Sequence, residues 1–442
     1  MPLRNLLTIF LASVISLACY VKADRNRYAS ALAQAMNMID AHYLDEVSYR
    51  QLYENAMRGM AEGLDQYSAY ISPTEKERFL EGLEQEFGGI GILVEMDRET
   101  ERLMVMSPLV DTPAYRAGIK AGDVILKVDD QDTMGMKLED AVKLMRGKPG
   151  ALVRLTVRHL GEDEPVEVEI TRDIIPIESV LGDRRGKDGT WDFVLDENPR
   201  ITYVRLITFG EHTVEELMET LKDREVDALV LDLRDNAGGL LTAAVDVCDL
   251  FIENGVIVST RERGGKMHRA PATAKSETII DCDVPMVVLT NRFSASASEI
   301  VAACLQDHDR AKIIGQRTWG KGTVQNIIEM EGGNAALKLT TASYWRPSGK
   351  NIHRRKDASD EDDWGVRPDD GFEIILTDEE AQEVRSYRRQ RDAFLNGERE
   401  DSTAKPKEEG ADEPLQDPQL HKAIEYLEEQ LRLKDKMAVE PA

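Results

Sequence analysis

Apolar positions recur at helix-face spacing near the start of the chain, at Ala29, Leu32, Ala33, Met36 and Ile39, and again at Leu52, Ala56, Met57, Met60 and Leu64. This pattern predicts an all-helical N-terminal segment. It breaks at Leu64-Asp65-Gln66-Tyr67-Ser68 and at Ser72-Pro73, and a further helix follows from Thr74 to Glu84. From Phe87 to Asp173 the period shortens to two. Short β-type runs at Gly91–Glu95, Leu103–Ser107, Val124–Val128, Leu152–Arg158 and Val166–Thr171 alternate with turns and with two helical pieces, Ala114–Ala117 and Leu138–Met145. From Ile201 buried-type strands alternate with helices. The strands are Tyr203–Leu206, Ala228–Leu233, Val256–Thr260, Met286–Thr290 and Ile313–Gly315, with two more around Val324–Glu329 and Ala336–Tyr344; the helices are Thr213–Leu221, Leu240–Ile252 and Ser298–Gln306. Strand, crossover helix, strand predicts a mainly parallel sheet covered on both faces. Past Pro368 the chain turns polar, and Leu420, Ile424, Leu427 and Leu431 mark a last helix, opened by Asp417-Pro418.

At 442 residues the chain is long enough for several folding units. Its net charge of −26 argues against nucleic acid or an anionic membrane surface as partner, since both are polyanions. One stretch, Leu6–Val21, is uncharged and apolar, with Arg4 before it and the small-residue pattern Val21-Lys22-Ala23 after it. These features predict export, through a cleaved signal or a retained N-terminal membrane anchor. Cys19 sits where a lipid could attach, but Ser16 replaces the usual larger aliphatic residue. Cys248, Cys282 and Cys304 suit neither a disulfide framework nor a metal site and read as small buried hydrophobes.

The unit from Phe87 onward opens with Phe87-Gly88-Gly89-Ile90-Gly91-Ile92 and carries the turn Ala117-Gly118-Ile119-Lys120-Ala121-Gly122-Asp123. Successive amides of such a glycine turn can converge on a carboxylate, and the strand after it offers an edge to an extended peptide. With this order of elements the unit resembles a PDZ domain. The resemblance implies Gly89, Ile90, Gly91 and Ile92 as contacts for a peptide C-terminus. Arg146, after the second helix, is a candidate for added positive charge beside the groove.

Three constellations lie at strand ends of the α/β unit, where open sheets place their sites. Asp232-Leu233-Arg234-Asp235-Asn236-Ala237-Gly238-Gly239 offers turn amides to an oxyanion. In Asn291-Arg292-Phe293-Ser294-Ala295-Ser296-Ala297-Ser298-Glu299 a strand passes through small residues into a helix, exposing a hydroxyl to the helix dipole. Gly315-Gln316-Arg317-Thr318-Trp319-Gly320-Lys321-Gly322-Thr323-Val324-Gln325 holds a lysine between glycines.

In this order, together with the helical opening and the PDZ-like unit, the three resemble the carboxyl-terminal processing proteases, also called tail-specific proteases. These are serine peptidases with a serine–lysine pair and an embedded PDZ domain. The resemblance extends from about Tyr43 to Pro368 and implies a crotonase-like core. It also implies Ser296 as nucleophile, Lys321 as general base, Gln325 as the residue orienting the lysine, and the amides of Gly238, Gly239 and Ala297 as oxyanion hole. Ala237 departs from the family, which usually has proline there.

The residues carry competing readings. Ser296 and Glu299 have the spacing of a helix capping box, and Ser294 and Ser298 share the chemistry of Ser296, so the choice among the three rests on alignment. A serine needs a base, usually histidine, yet none of the seven histidines has a triad context, and His308 lies in a polar helix end. Lysine serves if a dry setting keeps it neutral, which Trp319 and the glycines suggest. Activity is then expected to rise with pH. Asp232 and Asp235 read as turn and cap residues, not metal ligands. Gly315-x4-Gly320-Lys321 is close to a phosphate-binding loop, but Gly322 lacks the magnesium-holding hydroxyl and a strand follows where that motif needs a helix.

The fold expected is a multidomain α/β and α+β chain: a signal peptide or anchor at 1–23, a helical segment at 24–86, a PDZ domain of β-sandwich or barrel-like type at 87–174, a protease core at 175–378, and a charged linker with a C-terminal helix at 379–442. Arg399–Pro418 reads as a disordered linker and Lys356–Asp363 as an acidic mobile loop. The function expected is an exported serine endopeptidase, periplasmic or otherwise extracytoplasmic, without a cofactor. Its partners are proteins or peptides with accessible C-termini, with membrane anchoring and a homodimer left open. The alternative is a non-catalytic PDZ peptide-binding scaffold.

Overall fold

The computed structural model describes residues 10, 13–14, 27–97, 100–186, 189–265, 267, 270–392 and 417–439. The leader, apart from those three residues, and the linker at 399–416 lie outside them. No described helix is long and apolar enough to cross a membrane. The described residues form two compact units: those up to residue 76 with 325–340, and those from 77 to 324 with those from 341 onward.

In the first unit the predicted helices occupy residues 27–42 and Tyr49–Glu62. Ser48 caps the second of these by accepting from the Gln51 amide at 3.4 Å. The break that follows is built on Asp65, whose carboxylate accepts the amides of Tyr67 and Ser68 at 2.7 and 2.8 Å and the Ser68 hydroxyl at 3.0 Å. That turn feeds the strand Ala69–Ile71, which pairs antiparallel with Ala336–Lys338. Ser72-Pro73, read from the sequence as a breaker, is also a start signal. Glu75 returns its carboxylate to the Ser72 amide at 2.9 Å as the next helix begins at Pro73.

The second unit contains the PDZ elements and the α/β core. The PDZ sheet runs Ile92–Met96, Leu103–Pro108, Val124–Val128, Leu152–Arg158, Val166–Thr171, with Gln131–Asp132 added to the third strand. Alternation along these strands buries Leu103, Val105, Ile125, Val153, Leu155 and Val157 in one core with Ala141 and Met145 of the helix Leu138–Met145. Glu86–Gly89 and Asp173–Pro176 pair with each other and close the base of this part.

The core sheet has the order Val180–Leu181, Ile201–Leu206, Ala228–Asp232, Met286–Thr290, Lys312–Gly315, antiparallel at the first pair and parallel thereafter. Ala228–Asp232 and Met286–Thr290 are buried at every residue, as strands covered on both faces require. One face packs against the helices Thr213–Leu221, Leu241–Asp249 and Ala297–Asp307. The other, carrying Tyr203, Val230, Val287, Leu289 and Ile314, is covered by the C-terminal helix Pro418–Val439 through Leu420, Ala423, Ile424, Leu427 and Leu431. Burying the three leucines and the isoleucine contributes about 1.5–3 kcal/mol each, which a lone helix lacks. Asp417 caps it, accepting the Leu420 amide at 3.1 Å.

Three expectations are corrected here. Val256–Glu262 does not extend the parallel sheet; it pairs antiparallel with Ala342–Trp345 and with Ala272–Thr273. A short apolar run fixes strand character but not its partner. Cys282 is exposed, whereas Cys248 and Cys304 are buried. The Lys356–Asp363 loop, read as mobile, is tied down: the Arg317 guanidinium donates to the carbonyls of Asp360 and Trp364 at 2.7 Å each and of Asp362 at 2.5 Å.

Candidate active site

The strand Met286–Thr290 ends in the segment 291–296, which turns sharply into the helix Ala297–Asp307. At the turn Ser296 adopts φ 57° and ψ −112°, a positive φ that costs a non-glycine residue energy. The three serines, equal in the sequence, differ in their commitments. Ser294 is fully buried, its hydroxyl donating to the Leu233 carbonyl at 2.8 Å and accepting from the Asn291 amide at 2.9 Å. Ser298 is also fully buried and donates to the Asn236 carbonyl at 2.9 Å. Ser296 instead lies beside the hydroxyl of Tyr344, whose pKa burial pushes up to about 12.

Against this elbow lies the glycine turn. Buried Asn236 donates to the Leu206 carbonyl at 2.7 Å, while its own carbonyl accepts the Ala295 amide at 3.0 Å. Gly238, at φ +101°, is so close that a Cβ there would sit 2.8 Å from Ser296 Cβ and 2.9 Å from the Ala297 nitrogen. Only glycine fits that approach. The Gly238 amide donates to Asn236 Oδ1 at 2.8 Å, so in this conformation it is already committed. The Ala297 amide opens the helix, where the first N–H groups lack intrahelical acceptors.

The third constellation meets the elbow through Glu299, which the sequence offered only as a capping-box partner. Its carboxylate is fully buried. One oxygen, Oε2, accepts the amides of both Ser296 and Lys321, each at 2.8 Å. The other, Oε1, accepts the Thr318 hydroxyl at 2.6 Å and the Gly320 amide at 2.7 Å. Burial drives the Glu299 pKa above the ordinary carboxylate value against the pull of these four donors. The glycines beside Lys321 hold the loop tightly, since a Cβ on Gly322 would come within 2.3 Å of the His353 nitrogen. Lys321 itself is half-buried, while Trp319 is 46% exposed and supplies less of a dry wall than its size suggested.

Gln325 lies on the strand Thr323–Met330 and belongs to the first unit. Its amide donates to Thr340 Oγ1 at 3.2 Å, and Thr340 donates on to Asp65 Oδ1 at 3.3 Å. The turn Leu64–Ser68 and Gln325 are thereby joined. Burial raises the Asp65 pKa, but the amides of Tyr67 and Ser68 and the two hydroxyls outweigh it and hold the group below its usual range. A depressed carboxylate contributes stability at neutral pH that is lost as pH falls through its folded value. Asp65→Ala is therefore expected to cost about 1–2 kcal/mol at pH 7 in urea unfolding, with the difference from wild type shrinking as pH falls below the ordinary aspartate value of about 4.

Other candidates fall away. His308 caps the far end of the helix Ala297–Asp307, about 18 Å from Ser296 along its axis, and its Nε2 meets the Val256 carbonyl at 2.8 Å. Asp232 is held below the ordinary carboxylate range; burial opposes this, but the Arg234 charge and the Tyr203 hydroxyl prevail. No group of residues able to hold a metal ion occurs among the described residues. After Lys321 the chain forms a strand, not the helix a phosphate-binding loop needs.

The sequence pattern of peptidase family S41 matches residues 200–370, and that of the PDZ domain matches residues 104–159. The chain is 42% identical over 311 residues to the carboxy-terminal-processing protease of Bartonella bacilliformis, covering 69% of this chain and 67% of that protein. It is 31% identical over 370 residues to the carboxyl-terminal-processing protease of a Synechocystis species, covering 78% of this chain and 81% of the other. The chain belongs to the S41 family of carboxyl-terminal processing proteases. Among solved structures, the photosystem II D1 C-terminal processing protease is 26% identical and covers 83% of this chain and 98% of its own, with a TM-score of 0.42. Family membership makes the chain a serine-type peptidase and removes the non-catalytic scaffold alternative.

The S41 peptidase's PDZ part presents Ile92–Met96 as the edge strand of its sheet. Gly89, Ile90, Gly91, Ile92 and Arg146 all line one cavity of about 460 Å³, with Val142 and Met145 of the facing helix and with Leu181 and Trp191 of the core. Gly91, at φ +78°, passes so close to Thr112 that a Cβ would meet its side chain at 2.3 Å. Arg146 stands at this groove already engaged. It donates to Glu81 at 2.7 Å and stacks over the Phe87 ring at 4.3 Å from the centroid.

Proposed function

We propose that the chain is an exported serine endopeptidase that takes hold of protein C-terminal tails in its PDZ groove and hydrolyses peptide bonds at Ser296. The observation that carries this reading is the shared Glu299 oxygen, which ties the backbones of Ser296 and Lys321 to a single acceptor. Lys321 takes the proton from the Ser296 hydroxyl as its oxygen attacks the scissile carbonyl, and returns it to the departing amine. Water, deprotonated by the same amine, then releases the acyl group. Gln325 orients the lysine. The amides of Ala297 and Gly239 receive the oxyanion, with Gly238 joining once its amide turns from Asn236. No cofactor enters these steps, and activity rises with pH because the lysine acts only as a neutral amine. The Leu6–Val21 stretch supports export.

The edge strand, the glycine turn and Arg146 together suit an extended peptide ending in a free carboxylate. An unstructured substrate with an amidated C-terminus is therefore expected to show kcat/KM lower by at least about tenfold than its free-acid twin, the scale of one charge-assisted hydrogen bond. Equal rates for the two would remove tail recognition from the reading.

A further inference from the structure

Behind the elbow a second cavity of about 260 Å³ opens at the C-terminal ends of the core strands. It is too small for a drug-sized ligand and the right scale for a compact one. Its floor includes Arg205, Asp232, Asn291 and Gln316, and its roof is the helix Asp378–Asp392. Ser296 and Lys321 take no part in its lining, which shares Ile207 and Asp392 with the cavity at the PDZ groove; Asn291 and Asp235 at its wall bond each other and anchor the elbow to the glycine turn.

Its lining is strongly cationic: Arg205, Arg234, Arg292, Arg385, Arg388 and Arg389 face Asp232, Asp235 and Asp392. Arg234 is fully engaged by Asp232, Asp417 and Gln419. Arg292 pairs with Asp378 outside the lining. The rest are underused. Arg388 is 6% exposed and pairs with Asp183 through Nη1, but its buried Nε has no partner. Asp183 is shared with Arg391. Arg205 donates to Asp392 and likewise leaves a buried Nε unpartnered. Arg385 reaches Asp235 only at 3.8 Å, and Arg389 has no carboxylate partner among the described residues, bonding the Ser386 hydroxyl at 3.3 Å.

Buried guanidinium donors without acceptors, in a concave site at the strand ends of an α/β sheet, call for oxygen acceptors carrying negative charge. We propose that this cavity binds a compact oxyanion, inorganic phosphate or a small carboxylate, between Arg205, Arg385, Arg388 and Arg389. Both sources share the chemistry of two or three charged oxygens matched to forked N–H donors. The bound anion sits against Asn291 and Asp235, one residue pair away from the elbow.

The test is calorimetric titration of the full chain with sodium phosphate and, separately, sodium succinate, at an ionic strength held constant with sodium chloride. Wild type is expected to bind at least one of them saturably, the tighter of the two identifying the source. The variant Arg385→Gln/Arg389→Gln, whose positions are not fully buried, is expected to bind at least tenfold more weakly while keeping its melting temperature in chloride. Arg389→Gln alone replaces it if the pair fails to fold. Absence of saturable binding to either anion, or equal affinity in wild type and variant, would overturn the proposal. The readout is binding alone, so loss of the peptidase reading would leave this result standing, and the reverse.

Discussion

Replacing Ser296 with alanine is expected to lower kcat/KM on an unstructured protein substrate by roughly 10⁴–10⁶-fold, and Lys321→Ala by a similar factor. On the proposed mechanism nucleophile and base act as one unit, so the double variant should be no worse than either single variant. The neighbouring serines give the sharper contrast. Ser294 and Ser298 spend their hydroxyls on backbone carbonyls, so Ser294→Ala and Ser298→Ala should each cost about 1–3 kcal/mol of stability yet retain hydrolysis within about tenfold. Steady-state kinetics with urea melts on the same preparations separates the two effects. Hydrolysis that survives in Ser296→Ala and disappears in Ser298→Ala would reassign the nucleophile.

Glu299→Ala is expected to produce the second large effect, and on both properties at once. It strands the amides of Ser296, Gly320 and Lys321 and the hydroxyl of Thr318 in a site closed to water. With about 1–3 kcal/mol for each buried donor left unmet, and partial relaxation of the loop, the loss should be at least about 3 kcal/mol in chemical denaturation. Glu299→Gln keeps the volume and one acceptor oxygen, but presents an NH₂ group to two of the four donors. That variant should fold, with kcat reduced at least about a hundredfold and KM changed little, because Glu299 sets the placement of reacting groups without touching substrate. A Gln variant with unaltered kcat would show that the shared oxygen is structural only.

Much of the architecture was legible because it depends on local pattern. Leu152–Arg158, Val124–Val128 and Leu138–Met145 lie where their periodicity predicted them. The terminal helix buries Leu420, Ile424, Leu427 and Leu431, the positions its spacing marked. What escaped the sequence depends on contacts between distant segments. The antiparallel partner of Val256–Glu262 lies some eighty residues downstream, and no run of apolar residues encodes such a choice. Glu299 looked like a local cap because its first donor, Ser296, is three residues away; the others come from the Thr318–Lys321 loop, brought in by folding. The commitment of the Gly238 amide to Asn236 and the exposure of Trp319 are likewise tertiary facts. The different duties of Ser294, Ser296 and Ser298 became visible only when their acceptors were in place.

The helix Pro418–Val439 closes the sheet and is synthesised after every strand it covers. Until it arrives, Tyr203, Val230, Val287, Leu289 and Ile314 remain an open greasy panel beneath the strands that carry both the elbow and the glycine turn. Translation order thus delays the finished hydrolase until this helix has been made, and a nascent chain cut short upstream of residue 418 would be a candidate for clearance rather than a premature nuisance to its neighbours.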